Sequence, residues 1–293
     1  MPIRLNLLAC LSLAGMLACG PAVAQATNTA RAHVQAFLEA HRARLGLPAP
    51  QAVPAEVAPQ VIGGGTAPAG SFPAVVALLF APESNNAQAF YCGGTLVGSR
   101  HVLTAAHCAD FLSASQIEVL VGSQSLASGG TRIALSAVAV HPNWDPDTVV
   151  NDVAVLTLAQ PVSGIKPVLI AATETAEDRF AAVGAPARIA GWGQTALSGT
   201  DIFPTELQQA GMTIQVQACS GTAVICATSP RHAQATCFGD SGGPLFSETL
   251  VRGRRVQVGV TSFGIGSCGD PNFPDFFARM ATLGAWVKQQ ITR

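Results

Sequence analysis

Charge is scarce in this 293-residue chain: Asp, Glu, Lys and Arg together make up only 11%, and lysine occurs just twice, as Lys166 and Lys288. The formal net charge is −1. Residues 1–60 hold four Arg and two acids, so the remainder carries 12 bases against 15 acids, a net of −3. Neither balance supplies the basic face that nucleic acid requires. No CxxC pair occurs, which removes the usual spacing of a structural zinc site and argues against metal ligation by the thiols. After residue 24 no apolar run is long enough to span a bilayer, so no membrane span is expected. No internal repeat is visible. Scarce lysine beside abundant alanine fits a GC-rich bacterial genome.

Turn formers and apolar residues are plentiful: 49% of the chain is hydrophobic, with 29 Gly and 19 Pro. That balance excludes disorder and suits a turn-rich β protein. Residues 1–24 combine Arg4, an apolar stretch from Leu5 to Leu17, and Ala22-Val23-Ala24 as a small-residue cleavage site. They read as a secretory signal peptide. Met16-Leu17-Ala18-Cys19 is a competing signal, similar to a bacterial lipoprotein processing site that would anchor the chain at Cys19. Residues 25–60 form a separate segment. Val34, Phe37, Leu38, His41 and Leu45 recur at near-helical spacing, predicting a short amphipathic helix within Ala30 to Leu47. Pro48, Pro50, Pro54 and Pro59 then predict an extended linker. The segment reads as a propeptide, or else as an arm that stays attached.

From Phe72 onward short apolar runs alternate with turn residues. Strands are expected at 74–80, 95–96, 102–105, 117–121, 133–140 and 153–158, then at 187–191, 208–216, 224–227, 244–246, 256–263 and 275–278. Many short strands with glycine turns suggest barrels. Leu283, Trp286, Val287 and Ile291 predict one amphipathic helix over Met280 to Ile291. Besides Cys10 and Cys19 in the leader, six cysteines remain: Cys92, Cys108, Cys219, Cys226, Cys237 and Cys268. An even number behind a secretion signal reads as a disulfide framework, with the pairing left open by spacing alone.

Three stretches carry chemistry. Cys237-Phe238-Gly239-Asp240-Ser241-Gly242-Gly243-Pro244 is a tight turn that fixes one hydroxyl. Serine needs a base to take its proton and donors to hold the oxyanion that follows. Leu103-Thr104-Ala105-Ala106-His107-Cys108 offers the base, and Asn151-Asp152-Val153-Ala154-Val155-Leu156 a carboxylate in an apolar run. His101, at a strand end, and His141, in a turn before Pro142, are weaker candidates, as are Asp145 and Asp147 in a Pro-containing turn. The order His, Asp, Ser is the reverse of an α/β-hydrolase esterase.

These motifs, from Val61 to the C-terminus, resemble the chymotrypsin/trypsin-like serine proteases. Val140-His141-Pro142-Asn143-Trp144, Gly191-Trp192-Gly193 and Val224-Ile225-Cys226-Ala227 are similar as well. The resemblance implies an all-β fold of two six-stranded antiparallel barrels with a C-terminal α-helix. The first barrel would run from about 61 to 165 and the second from about 166, inside a protease domain of 61–293. It implies a secreted endopeptidase that works without a cofactor or metal. Ser241 would be the nucleophile, His107 the base and Asp152 its orienting acid, with the Gly239 and Ser241 N–H groups as oxyanion hole. It implies the disulfides Cys92–Cys108, Cys219–Cys226 and Cys237–Cys268. Val61-Ile62-Gly63-Gly64 is similar to the family's mature N-terminus, whose freed amino group would pair with Asp240 after cleavage by another protease. Its partners would be protein or peptide substrates and proteinaceous inhibitors.

Two departures stand out. Cys219 and Cys226 are closer than is usual, and residues 119–132 hold no carboxylate, which does not support the family's calcium loop. The specificity pocket would have Ala235 and Thr236 at its floor, walls from Ser262-Phe263-Gly264, and Asp275 where a wall glycine usually sits. A carboxylate there predicts cleavage after Arg or Lys. The alternatives are an apolar pocket of chymotrypsin-like preference, if Asp275 faces solvent, and an inactive relative that binds a partner.

Overall fold

The computed structural model describes residues 29–46, 64–195, 203–215, 219, 223–229, 235–265, 268, 270 and 272–292. The leader, the Pro-rich linker and Val61 lie outside the described residues. The chain opens with α1 (Thr29–Arg44) and the short β1 (Gly65–Thr66). Then come β2 (Val75–Phe80), α2 (Asn86–Ala89), β3 (Phe90–Leu96), β4 (His101–Thr104), β5 (Ile117–Val121), β6 (Thr131–Val140) and β7 (Ala154–Leu158). The second half holds β8 (Leu169–Ile170), α3 (Glu174–Phe180), β9 (Pro186–Gly191), β10 (Gln208–Gln215) and β11 (Val224–Thr228). It ends with β12 (Pro244–Ser247), β13 (Val256–Gly264), β14 (Asp275–Arg279) and α4 (Met280–Ile291).

Strands β2 to β7 close into an antiparallel barrel in the order β2-β3-β4-β7-β6-β5. A second ring runs β10-β11-β14-β13-β12-β9 and is closed by the pairing of β9 with β10. Closure matters because it removes the unpaired strand edges that invite aggregation. Two short strands sit outside the rings. β1 adds to β10 of the second barrel, and β8 pairs parallel with β13. Both are too short to show as a periodic run in sequence.

Alternation builds the interiors. In β10, Gln208, Ala210, Met212 and Ile214 are buried and their neighbours half-exposed, the two-residue period of a pleated strand. Leu78, Val102, Val119 and Leu156 fill the first barrel. Ile189, Ile225, Leu245, Val258 and Phe277 fill the second. Each such side chain contributes about 2 kcal/mol by leaving water. β3 is longer than its pattern predicts, starting at Phe90, because Gly93 and Gly94 weaken the strand signal. Gly94 is needed there: a Cβ would come within 2.9 Å of Val102 Cγ1. α4 buries Met280, Leu283, Gly284 and Val287 on one face. α3 was not legible as a periodic run; Thr173 caps it by accepting from the Ala176 N–H, and its Glu177 forms a two-pronged ion pair with Arg279.

Candidate active site

His107 sits in a single 3-10 turn, Ala106–Cys108, directly after β4. Cys108 is bonded to Cys92 on β3, which pins that turn to the barrel wall. Asp152 precedes β7 and follows a turn in which Val149 and Asn151 both take positive φ, at 54° and 60°. Asn151 Nδ2 donates to the Asn143 carbonyl at 2.7 Å and holds that turn. The two side chains meet in the interior, at 1% exposure each. His107 Nδ1 lies 2.8 Å from Asp152 Oδ2, and the His107 backbone N–H donates to Asp152 Oδ1 at 3.0 Å.

The second barrel supplies a third contact. The Ser262 hydroxyl donates to Asp152 Oδ2 at 2.5 Å. Ser262 lies at a register shift between β13 and β14, the kind of bulge that re-aims a side chain. Burial on its own would push the Asp152 carboxyl up. The adjacent His107, the bond from its ring, the Ser262 hydroxyl and the His107 N–H outweigh burial and hold it below the usual carboxylate range. The other ring nitrogen, His107 Nε2, is buried and makes no hydrogen bond among the described residues. The imidazole is thus held on its Nδ1 side, and no His107–Ser241 hydrogen bond is formed among the described residues.

Ser241 sits at 3% exposure in a turn tied to both barrels. Its carbonyl accepts from the Gly93 N–H on β3 at 2.7 Å. Gly242 N–H donates to Thr261 O, and Thr261 N–H to Gly243 O, at 2.9 and 2.8 Å. Gly239 adopts φ +95° and Gly242 φ +76°, values that disfavour a side chain. A Cβ on Gly242 would also stand 3.1 Å from Ala105 N, so the serine turn packs against the residues leading to His107. Neither the Gly239 nor the Ser241 N–H donates to a carbonyl among the described residues, the condition for two donors to face a developing oxyanion.

Asp240 points the other way, into the second barrel. Its Oδ1 accepts from Gly193 N–H and its Oδ2 from Cys237 N–H, each at 3.0 Å. Burial pushes this carboxyl up to about 6, with those two bonds pulling against it. None of the described ion pairs includes Asp240. Val61, expected as its partner, lies outside the described residues.

The expected pocket residues also come together. Ala235 and Thr236 are buried, and Asp275 at the start of β14 is half-buried. Its Oδ2 accepts from the Thr236 N–H at 3.0 Å, so the carboxylate turns to the floor segment and not to solvent. Burial pushes it up to about 7. Phe263 stacks on Phe276 at 4.7 Å, and Gly264 pairs with Asp275 across β13 and β14. The structure joins Cys237 to Cys268 and Cys219 to Cys226. Cys92, His107 and Cys108 crowd within one potential metal-sized cluster. Both sulfurs are spent in a disulfide, so they cannot act as thiolate ligands.

α1 lies over the site: the Phe37 ring stacks on His107 at 5.3 Å and 12°, and His41 meets Phe263 edge-on at 5.0 Å. The helix itself was legible from its spacing, but nothing in its sequence says where it docks.

Comparison with known proteins identifies the family. The Trypsin family profile matches residues 61–287. Trypsin beta of Drosophila erecta is 32% identical over 265 residues, covering 86% of this chain and 96% of that protein. Trypsin alpha-4 of Lucilia cuprina is 33% identical over 254 residues, covering 83% and 92%. The solved structure of the Vibrio cholerae VesB protease superposes with a TM-score of 0.64 at 28% identity, over 78% of this chain and 67% of that one. Two closed antiparallel barrels and the Trypsin family match define a serine hydrolase of the two-barrel class. The chain belongs to the trypsin family and is a serine endopeptidase.

Proposed function

We propose that Ser241, His107 and Asp152 form the catalytic triad of this endopeptidase. The observation that carries the reading is the two-point hold of Asp152 on His107, through ring and backbone, with the serine turn packed against the residues leading to His107. In the reaction, Ser241 Oγ attacks the scissile carbonyl carbon while His107 Nε2 takes its proton. The tetrahedral oxyanion is held by the Gly239 and Ser241 N–H groups. Collapse breaks the C–N bond, His107 returns the proton to the leaving amine, and an acyl ester remains on Ser241. Water, deprotonated by His107, then attacks the ester carbon, the bond to Ser241 Oγ breaks, and His107 returns the proton to Oγ as the acid leaves. Asp152 keeps Nδ1 protonated and offsets the imidazolium charge.

Cleavage between Gln60 and Val61 is proposed to activate the chain, the new amino group pairing with Asp240, whose buried carboxylate favours a cation. Secretion fits this reading. No helix among the described residues is long and apolar enough to cross a membrane, a statement that leaves strands aside. Cleavage after Arg or Lys is proposed through Asp275, supported by its carboxylate facing the Ala235–Thr236 floor.

A fluorophosphonate probe tests the first part: the chain with its N-terminus at Val61 labels, and Ser241→Ala does not. Absence of labelling in a correctly processed chain would favour a binding protein of the same fold. A peptide library compares wild type with Asp275→Gly; the basic preference is lost in the variant. Should the variant keep it, Asp275 does not set specificity.

A further inference from the structure

α1 makes contacts that an incidental arm does not need. Sixteen residues of helix reach about 24 Å, enough to cross the cleft. Ala30, Val34, Phe37, Leu38 and His41 share one face, and the opposite face, Ala32, Ala36, Glu39, Ala40 and Ala43, is exposed. Ala30 and Val34, at 0% and 2% exposure, belong to the same buried cluster as the first barrel. Towards its N-terminus, Arg31 Nε donates to Phe90 O at 2.9 Å and Nη2 to Ala87 O at 2.8 Å. The Arg31 guanidinium also lies 4.1 Å from the centre of the Phe203 ring. Mid-helix, Phe37 covers the His107 imidazole and approaches Trp144 at 6.1 Å. Near the C-terminus, His41 contacts Phe263 on the expected pocket wall, and Arg44 pairs with Asp147 at 2.9 Å. The helix thereby touches both barrels and the catalytic histidine at once.

We infer that the α1 cleft surface is a helix-binding site and that residues 29–44 are its occupant, a reversible inhibitor carried by the chain itself. The inference rests on the proposed protease activity and processing before Val61, and adds a second lock to them. An α-helix satisfies its own backbone hydrogen bonds, so α1 covers the site without laying an extended peptide bond against Ser241. It therefore blocks without being cut. No cysteine lies within residues 25–60, so after cleavage at Gln60–Val61 only non-covalent contacts hold α1. While tethered, it acts at an effective concentration that dilution cannot change; once cut, its occupancy follows ordinary mass action. Cleavage makes the inhibitor dissociable, and its departure opens the site.

The test uses the full chain with residues 56–60 replaced by the recognition sequence of a highly specific processing protease. After complete cutting, the wild-type α1 chain labels with fluorophosphonate about tenfold or more slowly than the chain carrying Phe37→Ala, a ratio expected for loss of a central aromatic anchor. Dilution of the cut wild type brings its rate up to that of the variant. A synthetic 29–46 peptide slows the variant competitively against a small substrate, and the same peptide carrying Phe37→Ala does not. Equal labelling of both cut chains, or an inert peptide, overturns the inference. Should no cut form label at all, the protease reading fails and docking is still decided: fluorescent 29–46 peptide either binds the cut Ser241→Ala chain, stripped of its own fragment, or it does not. The same binding measurement stands in for Phe37→Ala if that variant fails to fold.

Discussion

Asp275 faces two demands that pull its protonation in opposite directions. Burial raises its carboxyl to about 7, the Thr236 N–H and hydroxyl pull it down, and the Asp240 charge pushes it up again. Only the ionised form attracts a cationic side chain. The kcat/KM ratio of an arginyl to an apolar substrate should therefore climb as pH rises through about 7. Taking the ratio cancels the titration of groups that serve both substrates. Asp275→Asn keeps the shape and should flatten the ratio across the same window. A ratio that keeps its slope in the variant places the titrating group elsewhere.

At the scale of single elements, the serine turn and α1 are the informative cases. Gly242 combines φ +76° with a space in which a Cβ would stand 2.5 Å from the Gly93 carbonyl. Gly242→Ala should cost about 2 kcal/mol or more, from left-handed backbone strain and from displacement of β3. Denaturant unfolding measures that cost, and kcat/KM should fall more than tenfold as Ser241 moves.

In α1, burial lowers the pKa of His41 from 6.5, and Arg44 adds to the effect. A hydrogen bond to the Asp147 backbone and the nearby Asp152 oppose this, and His107 is a further neighbour. The docked state thus favours neutral His41. Docking is strongest above 6.5 and weakens as pH falls through 6.5 towards the lowered value. Peptide titrations on the Ser241→Ala chain should show a dissociation constant that rises in acid, with a shallower slope for the peptide carrying His41→Gln.

For the molecule as a whole, the proposed mechanism requires two barrels to hold one geometry. His107 and Asp152 come from the first, while the serine turn and Ser262 come from the second. The Gly93–Ser241 and Ser262–Asp152 bonds join the halves. If the Val61 amino group pairs with Asp240, its pKa rises above the free value of about 7.7–8.0. The stabilisation is then complete below that free value and fades as pH climbs through the raised one. Activity of the processed chain should decline in alkali together with the titration of that amino group, followed by NMR of a chain labelled at Val61. A decline with no change at Val61 would assign it to another group.

What the sequence determined is what depends on neighbours along the chain. The two-residue alternation of Gln208–Gln215 and the helical spacing of Met280–Ile291 encode their elements locally, because a strand or helix sorts its own faces. The strand order then follows from closing those faces into rings. The chemical residue types around Ser241, His107 and Asp152 are legible for the same reason: glycine turns and apolar runs are short-range features. β1, β8, α2 and α3 were not legible, being too short or too polar for periodicity to register. Only the tertiary structure decided which way Asp275 points, since its carboxylate is oriented by Thr236, 39 residues away in sequence. Only it turned Ser262 onto Asp152, 110 residues distant, through a bulge between two strands. And only it laid Phe37 on His107. An amphipathic face states that it must be covered, but the surface that covers it exists only after both barrels have closed.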